Sequence, residues 1–598
     1  VHALLDEGLR RLERPGLDSA VVAWRADDGC ARVRGVGTVQ ALVDKMGAAP
    51  PRGVLGIAHT RWATHGVPAE ENAHPMVSRG RLALVHNGII EDHERLKAEL
   101  AGAGYAFDSA TDTEVLSHAI HRALEAKGDL FDAVESVVHG LDGAYAIAAV
   151  DQHHRDALVV ARRGTPLVIG IGIGEHIVAS DIAALLAVTR RFIFLEEGDI
   201  ARVTRGGVEI RDLHGKPVTR PVTESALDPD AASKAGYRHY MQKEIFEQPR
   251  VVTDTWHGLV SESRVLTAAM GPEAEAILPK VHSVTIVACG TSFHAGLVAR
   301  YWLEAIAGVP CNVELASEYR YRKPVVANDT LFVTISQSGE TLDTLAALRF
   351  AKTAGYLATL GIVNVPESSM VRETDLSLMT AAGPEIGVAS TKAFTTQLVA
   401  LLIFTLMLAK SKGRLSDAAE ADGVRQLRSL ASVIENCLLI DDTLTQTAER
   451  FADKQHALFL GRGVMFPIAL EGALKLKEIS YIHAEGYAAG ELKHGPLALV
   501  DEHMPVIAVA PNDELLGKLK SNLQEVRARG GQLIVFADKQ AGFASEEGVT
   551  VIDMPHADEL IAPIVYNVPL QLLSYHVAVL RGTDVDQPRN LAKSVTVE

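Results

Sequence analysis

The sequence predicts an α+β domain followed by two tandem α/β domains with parallel sheets. Over about the first 225 residues, short strand-like runs lie close together, and from Ser283 strands and helices alternate. The alternating layout occurs twice, and the distance from Gly290 to the strand at Leu331 nearly equals that from Gly461 to the strand at Pro505. This repeat indicates two similar βαβ modules that arose by duplication.

In the first domain, strands are expected at four runs, 82–85, 144–150, 157–161 and 167–170. The polar stretch 222–236 predicts a linker. A helical segment at 237–249 is expected to end at its proline.

Length and composition indicate an ordinary globular protein of several domains. A chain of 598 residues is too long for one hydrophobic core and predicts about three or four domains. The apolar fraction of 47% and the charged fraction of 22% are typical values. The net charge of -17 argues against nucleic acid or an anionic membrane as the main partner. Four scattered cysteines favour neither a disulfide framework nor a zinc site.

The most apolar run, 398–409, predicts a buried helix because it is too short to span a bilayer. The sequence shows no signal peptide, so we expect a cytoplasmic protein.

A strand that opens into a helix at 342–354 predicts an anion site, because the first N–H groups of a helix lack intrahelical partners. The alternative is a simple N-cap. A second donor-rich loop, 289–292, follows another strand of the same sheet and favours a phosphate site, since ligands bind at the carboxyl ends of parallel strands. The uncharged donors of the first loop are Ser336, Gln337, Ser338 and Thr341.

The pattern at 466–483 predicts an apolar helix with one polar stripe, formed by Glu471, Lys475 and Glu478. An exposed salt-bridge face is the alternative. The rest of the helix is apolar enough to be buried, so we expect the stripe to line a cleft. His494 follows in a loop and is a candidate proton carrier beside these carboxylates.

Together these motifs resemble the glutamine:fructose-6-phosphate aminotransferase family over essentially the whole chain. They are SQSGET at 336–341, CGTS at 289–292, GVASTKA at 387–393, ELKHGP at 491–496 and a tail that contains Lys593. The resemblance implies an N-terminal-nucleophile (Ntn) class II glutamine amidotransferase domain of αββα layers, then two sugar-isomerase (SIS) domains. The implied boundaries are 1–225 for the amidotransferase domain, 226–275 for a connection, 276–420 and 447–588 for the SIS domains, and 589–598 for a catalytic tail.

The resemblance also implies roles at the sugar site. Lys593 would form a Schiff base with the ketose carbonyl, and Glu478 would move a proton between C1 and C2. His494 would open the sugar ring, and in this family the histidine of one subunit can act in the site of its partner. Lys475 would stabilise the enolamine oxygen or shuttle a proton. No metal or cofactor is implied. The residues that would hold the sugar phosphate are Ser292, Ser336, Gln337, Ser338, Thr341, Val388 and Ser390.

Three further motifs resemble the glutamine site of class II amidotransferases, namely HTRWATHG at 59–66, HNG at 86–88 and TDT at 111–113. Arg61 would bind the α-carboxylate of glutamine and Asp112 its α-ammonium group. Asn87 and the N–H of Gly88 would form an oxyanion hole. The remaining implied residues are Thr64 and His65, which would line the pocket, and Trp62, which would gate an ammonia channel.

Two departures from the family affect the use of glutamine. The family's nucleophile is an N-terminal cysteine, and Val1 matches the family about a dozen residues after it. Cys30 is not nominated, because two neighbouring carboxylates would raise the pKa of its thiol. Residues 14–19 read RPGLDS in place of the family's YRGYDS. We therefore expect the chain as written to lack glutaminase activity and still to isomerise fructose 6-phosphate.

The leading hypothesis is transfer of the amide nitrogen of L-glutamine to D-fructose 6-phosphate, giving D-glucosamine 6-phosphate and L-glutamate for the synthesis of UDP-GlcNAc. The alternatives are a glutaminase-deficient sugar-phosphate isomerase or ammonia-dependent synthase, and a sugar-phosphate-sensing regulator. A sensor would not need Glu478, His494 and Lys593, and no basic DNA-binding segment is present. Amidotransferases that make phosphoribosylamine share only the first half. The resemblance implies a homodimer, and we expect the protein to bind neither nucleic acid nor a membrane.

Overall fold

The computed structural model divides into two compact units, one within residues 1–231 and one within 232–594. The residues it describes are 5, 7–9, 19–26, 29–37, 39–46, 55–61, 67, 69–154, 156–186, 188–225 and 234–593, and among these the side chains of 25, 26, 29, 30 and 183 are left out.

The first unit is built from antiparallel strands. These are β1 Ser19–Ala26, β2 Gly29–Val36, β3 Gly56–Arg61, β4 Met76–Ser78, β5 Leu82–Ile90, β6 Gly143–Asp151, β7 Ala157–Arg163, β8 Val168–Ile171, β9 His176–Ala179, β10 Arg191–Phe194, β11 Ile200–Thr204, β12 Gly207–Arg211, β13 Pro217–Val218 and β14 Val222–Glu224. They form sheets in the orders β13-β12-β11-β7-β6-β5-β4, β2-β1-β3 and β14-β10-β8-β9. The α-helices described in this unit are Val39–Met46, His93–Gly102, Asp112–Lys127 and Leu130–Val138.

Alternation along the strands separates the layers of this unit. Leu84 on β5 packs with Phe131 under the helices at 112–138, whereas its neighbour Ala83 packs with Ile57 of the smaller sheet. Val22 on β1 packs against Leu42 of the helix Val39–Met46. Successive residues of a strand point to opposite faces, so the layers run helix, sheet, sheet, helix. The predicted αββα fold is confirmed.

One sequence prediction in this unit is wrong. The linker predicted at 222–236 begins with β14, which pairs with β10 in the register Arg191↔Glu224. A three-residue edge strand carries too little hydrophobic alternation to stand out in a polar stretch.

The second unit contains two parallel sheets. The first is made of β15 Ser283–Ala288, β16 Cys311–Leu315, β17 Thr330–Ser336, β18 Ala358–Val363 and β19 Leu376–Met379. The second is made of β20 His456–Gly461, β21 His483–Ala488, β22 Pro505–Ala510, β23 Gln532–Asp538 and β24 Val549–Met554. Their orders, β16-β15-β17-β18-β19 and β21-β20-β22-β23-β24, are the same doubly wound order. The prediction of two tandem parallel-sheet domains is confirmed.

Helices cover these sheets. The α-helices described are Tyr240–Phe246, Gln248–Trp256, Ala274–Ile277, Gly290–Trp302, Ala316–Tyr319, Leu342–Ala354, Ser369–Glu373, Lys392–Ser411, Asp417–Leu438, Asp441–Ala448, Met465–Ser480, Leu516–Arg527 and Ala562–Arg581.

The helix Lys392–Ser411 lies at the centre of the second unit. Among the described residues it is the one helix long and apolar enough to cross a bilayer, and its most apolar 18-residue window is 100% buried. Its side chains pack in one core with those of Ala562–Arg581 and of both sheets. The predicted buried helix at 398–409 is therefore observed as part of a core helix.

Two predicted helix ends are wrong. Pro249 does not end a helix. Tyr240–Phe246 ends before it, and Pro249 occupies the first turn of Gln248–Trp256, where its missing N–H costs nothing. The helix predicted at 466–483 ends at Ser480, because Tyr481 adopts a left-handed φ of 62° and His483 begins β21.

Candidate functional site

The loop after β17 is a tight turn held by its own hydroxyl groups. Ser336 Oγ accepts the Gly339 N–H at 3.0 Å and shares a 2.9 Å hydrogen bond with Thr341 Oγ1. Ser338 Oγ accepts the Glu340 N–H at 3.1 Å. Gly339 has φ 67°, and a Cβ there would lie 2.2 Å from Ser368 Oγ, so only glycine fits.

The second donor-rich loop lies beside the first. β15 and β17 are adjacent and parallel, and the helix Gly290–Trp302 begins directly after β15. Ser292 lies in the first turn of that helix and is half-buried. Two helix N-termini thus meet at one edge of the sheet, an arrangement that suits a phosphate group.

The stripe on Met465–Ser480 is a buried charge cluster. Lys475 Nζ lies 2.6 Å from Glu478 Oε2 and 3.4 Å from Glu471 Oε1, and the Lys475 side chain is 1% exposed. Burial favours the neutral amine, but the two carboxylates outweigh it and raise the pKa of Lys475. Burial raises the pKa of Glu478, although Lys475 opposes the shift. The exposed salt-bridge face is excluded as the explanation of this stripe.

Glu471 joins the two SIS-like modules within the second unit. Its carboxylate accepts a hydrogen bond from Thr291 Oγ1 at 3.0 Å and lies 2.8 Å from His294 Nδ1. Thr291 also accepts from Lys475 Nζ at 3.2 Å. Sequence reasoning missed Thr291 and His294. Both flank Ser292, and that proximity was the available signal.

Lys593 is held by a carboxylate that sequence reasoning also missed. Its Nζ hydrogen-bonds to Glu385 Oε2, and its side chain is 13% exposed. Glu385 is fully buried, and its Oε1 accepts the N–H groups of Thr391 and Ala393, each at 2.9 Å. Burial opposes the charge on Glu385, but Lys593 and these N–H groups outweigh it and lower its pKa.

The segment that leads to Lys593 is anchored at several points. The Asp586 carboxylate accepts the N–H groups of Tyr240 and Met241 at 2.9 and 2.8 Å. The Asp586 carbonyl accepts the Val388 N–H at 3.0 Å, and the Arg589 N–H donates to the Tyr481 hydroxyl at 2.8 Å. Residues 583–593 are called the tail below. This segment includes the described part of the predicted catalytic tail 589–598.

Two ion pairs lie within electrostatic reach of each other. Lys593 acts to lower the pKa of Glu478, and Glu385 acts to raise the pKa of Lys475. Ser390 Oγ donates to Glu385 Oε2 at 3.3 Å. The Lys593–Glu385 and Lys475–Glu478 ion pairs therefore lie close enough to influence each other's pKa values. Ser390 joins them through its hydrogen bond to Glu385.

His494 is not part of this cluster. It ends the 3-10 helix Ala489–His494 and is exposed. Among the described residues its imidazole makes no hydrogen bond and no ion pair.

In the first unit, Arg61 and Asn87 occupy strands. Arg61 ends β3 and is buried. Asn87 lies in β5, where its Oδ1 is 2.7 Å from His59 Nε2. Gly88 follows with φ 128°, and a Cβ there would lie 2.0 Å from the Ala144 carbonyl oxygen. Burial lowers the pKa of His59 to about 4, so its ring is neutral and can donate to Asn87.

Asp112 is the first residue of the helix Asp112–Lys127 and is buried. Its Oδ2 accepts the Ile90 N–H at 3.0 Å, at the end of β5.

The predicted residues Trp62, Thr64 and His65 lie outside the described residues, as do 14–18 and the side chain of Cys30. In the part of the chain that the structure describes, no group of three or more His, Cys, Asp or Glu side chains could hold a metal ion.

A comparison with known proteins finds matches for both halves of the chain. A family model described as "SIS domain" matches residues 277–407 and 450–581, and one described as "Glutamine amidotransferase domain" matches 59–187. The glutamine--fructose-6-phosphate aminotransferase [isomerizing] of Pseudomonas syringae is 60% identical over 100% of this chain and 98% of that protein. The protein of the same name from Escherichia coli K12 is 59% identical over the same shares.

A solved structure matches the second unit. It is the C-terminal domain of glucosamine-fructose-6-phosphate aminotransferase from Francisella tularensis, which is 54% identical with a TM-score of 0.59. The match covers 60% of this chain and 100% of that one.

Proposed function

This chain belongs to the family of isomerizing glutamine–fructose-6-phosphate aminotransferases, and we propose that it transfers the amide nitrogen of L-glutamine to D-fructose 6-phosphate. The products are D-glucosamine 6-phosphate and L-glutamate. One observation carries the sugar half of this proposal: the Lys593–Glu385 and Lys475–Glu478 ion pairs lie in the unit that also carries the Ser336 loop.

The sugar phosphate binds between the two helix N-termini. Uncharged hydroxyl and N–H donors hold a phosphate without a fixed ion pair, which suits a protein with a net charge of -17. The binding residues are Ser292, Ser336, Gln337, Ser338, Thr341, Val388 and Ser390.

Lys593 is the nucleophile. As the free amine it adds to the C2 ketone and water leaves, which gives a Schiff base. Ammonia then adds at C2 and releases the lysine. Glu478 takes a proton from C1 and returns it to C2, which leaves an aldehyde at C1 and the amino group at C2. Lys475 stabilises the negative charge that develops on the substrate oxygen.

His494 opens the sugar ring. His494 is exposed in a single chain, which supports a homodimer in which the histidine of one subunit acts in the site of the other. The homodimer is our proposal for the assembly.

We also propose a cytoplasmic location and the domain boundaries 1–225, 226–275, 276–420, 447–588 and 589–598.

In the amidotransferase domain, Arg61 binds the α-carboxylate of glutamine and Asp112 its α-ammonium group. Asn87 and the Gly88 N–H stabilise the oxyanion. The His59–Asn87 hydrogen bond supports this role, because it fixes the orientation of the amide. Trp62, Thr64 and His65 complete the proposed glutamine site.

The Schiff base is tested with Lys593→Ala and an exposed lysine, Lys518→Ala, as the control. We expect the first change to lower the kcat of fructose 6-phosphate isomerisation at least about a hundredfold and to abolish borohydride trapping of the sugar on the protein. Lys518→Ala should behave as wild type. Full isomerisation by Lys593→Ala would exclude the proposed nucleophile.

A further inference from the structure

Glu244 is a buried acidic residue to which the proposed chemistry assigns no role. It lies on the helix Tyr240–Phe246 and is 2% exposed. Its Oε1 accepts the N–H groups of Ile386 and Gly387. Its Oε2 is buried and has no hydrogen-bond partner within the described residues. Burial of a carboxyl group with an unpartnered oxygen is costly, so a reason for its presence is required.

The two N–H groups belong to the turn 385–387, which carries the partner of Lys593. A Cβ on Gly387 would lie 2.9 Å from Glu244 Oε2, so the carboxyl group and the turn are in close contact. The next residue, Val388, donates to the carbonyl of Asp586. Glu244 and the tail therefore hold the same turn at neighbouring residues.

Three charged groups face Glu244 from different elements: Glu385 from the turn, Lys593 from the tail and Lys392 from the start of the helix Lys392–Ser411. Burial and the Glu385 carboxylate raise the pKa of Glu244 to about 8, against the two lysines. The pKa of Glu385 is lowered. The opposite directions of these two shifts mean that Glu385 ionises before Glu244 as the pH rises.

We propose that Glu244 is a positioning residue for Lys593: its carboxyl group holds the turn 385–387 and leaves Glu385 as the single negative partner of the lysine. This inference rests on the nucleophilic role proposed for Lys593. Lys593 attacks the ketone only after it loses a proton. A second carboxylate nearby would favour the ammonium form and slow the attack.

The sign of the pH dependence follows from the raised pKa of Glu244. Below about pH 8 the carboxyl group is protonated and the enzyme is competent. Above that value Glu244 gains a negative charge, the ammonium form of Lys593 is stabilised, and isomerisation slows.

The test measures fructose 6-phosphate isomerisation by the full chain between about pH 6 and about pH 10. Glu244→Gln keeps the acceptor oxygen and cannot ionise. Its kcat should lie within about threefold of wild type near pH 7, and the ratio of variant to wild type should rise about tenfold by about pH 9, because one titration is removed. Glu244→Ala loses the contact to the turn and should have a lower kcat at every pH, with little change in KM.

Glu420→Gln is the matched control. Glu420 is also buried in the second unit, where it accepts the Val265 N–H at 2.8 Å and pairs with Lys410. This variant should be less stable but keep the pH profile of the wild type.

A Glu244→Gln profile that follows the wild type, or a full kcat in Glu244→Ala, would overturn the positioning role. Failure of the proposed nucleophile gives a different result: borohydride would then trap no sugar on Lys593 in the wild-type protein, whatever the Glu244 variants do.

Discussion

Lys475 shows how a fully buried ammonium group is tolerated in this protein. Two carboxylates and one hydroxyl group surround its Nζ. Removal of one partner from such a cluster leaves an uncompensated charge, which typically costs about 3–5 kcal/mol. The cluster is therefore expected to be stable only when all of its partners are present.

The buried His59 should make the stability of the first unit sensitive to acid. The pKa of this ring is lowered by burial from 6.5 to about 4. Between these values the unfolded chain binds a proton that the folded chain does not, so the stabilisation is fully present above pH 6.5 and is lost as the pH falls to 4. The lost free energy of unfolding is about 3 kcal/mol.

Hydrogen exchange of the β5 amides at a series of pH values measures this effect. His59→Gln should flatten the loss of protection between pH 6.5 and pH 4, whereas the exposed His139→Gln should leave it unchanged. His74, also buried with a lowered pKa, keeps its own contribution in both variants. Equal slopes for wild type and His59→Gln would contradict the prediction.

Residues of the site differ in how far the sequence predicts them. The stripe of Glu471, Lys475 and Glu478 followed from helical spacing, since its members lie within two turns of each other. Glu385 could not be found in this way, because its partner lies 208 residues further along the chain. Local periodicity contains no information about such a contact.

At the scale of elements, the helix Tyr240–Phe246 depends on a distant acid. The first two N–H groups of this helix donate to Asp586. Asp586→Ala should lower the free energy of unfolding by about 1–2 kcal/mol. It should also reduce the kcat of isomerisation, because the tail that carries Lys593 loses an anchor. Thermal unfolding and isomerisation assays measure the two effects.

Ser416→Ala is the control for this change. Ser416 caps the helix Asp417–Leu438 by accepting the Ala419 N–H at 3.2 Å, and its loss should cost about 1 kcal/mol with kcat unchanged. A similar loss of kcat in both variants would show that stability alone accounts for the Asp586 effect.

The elements themselves were predicted unevenly. The helix Leu342–Ala354 matches its prediction at both ends, and the central strands β15, β17, β20 and β22 were found from continuous apolar runs. None of the four edge strands, β16, β19, β21 and β24, was predicted. Two of them, β16 with the sequence CNVEL and β21 with HAEGYA, are polar, because an edge strand is covered on fewer sides.

At the scale of the whole molecule, the two units are expected to separate in function. A fragment of residues 232–598 contains the complete second unit with both sheets and the tail. It should isomerise fructose 6-phosphate with a kcat within about threefold of the full chain, since a compact unit with its own core folds alone. A folded fragment without isomerase activity would contradict this prediction.

Glutamine use belongs to the other unit and is measured separately. The fragment lacks Arg61, Asn87 and Asp112, so it should release no glutamate from glutamine. Glutamate release by the isolated fragment would contradict this prediction.

The contact between Asp586 and Tyr240 also sets an order of events during biosynthesis. A ribosome must deliver every residue between these two positions before the helix Tyr240–Phe246 obtains its anchor, and Lys593 leaves later still. If Lys593 is the nucleophile proposed above, nascent chains are expected to bind no sugar covalently before translation ends, and chains that end before Lys593 are expected to lack isomerase activity.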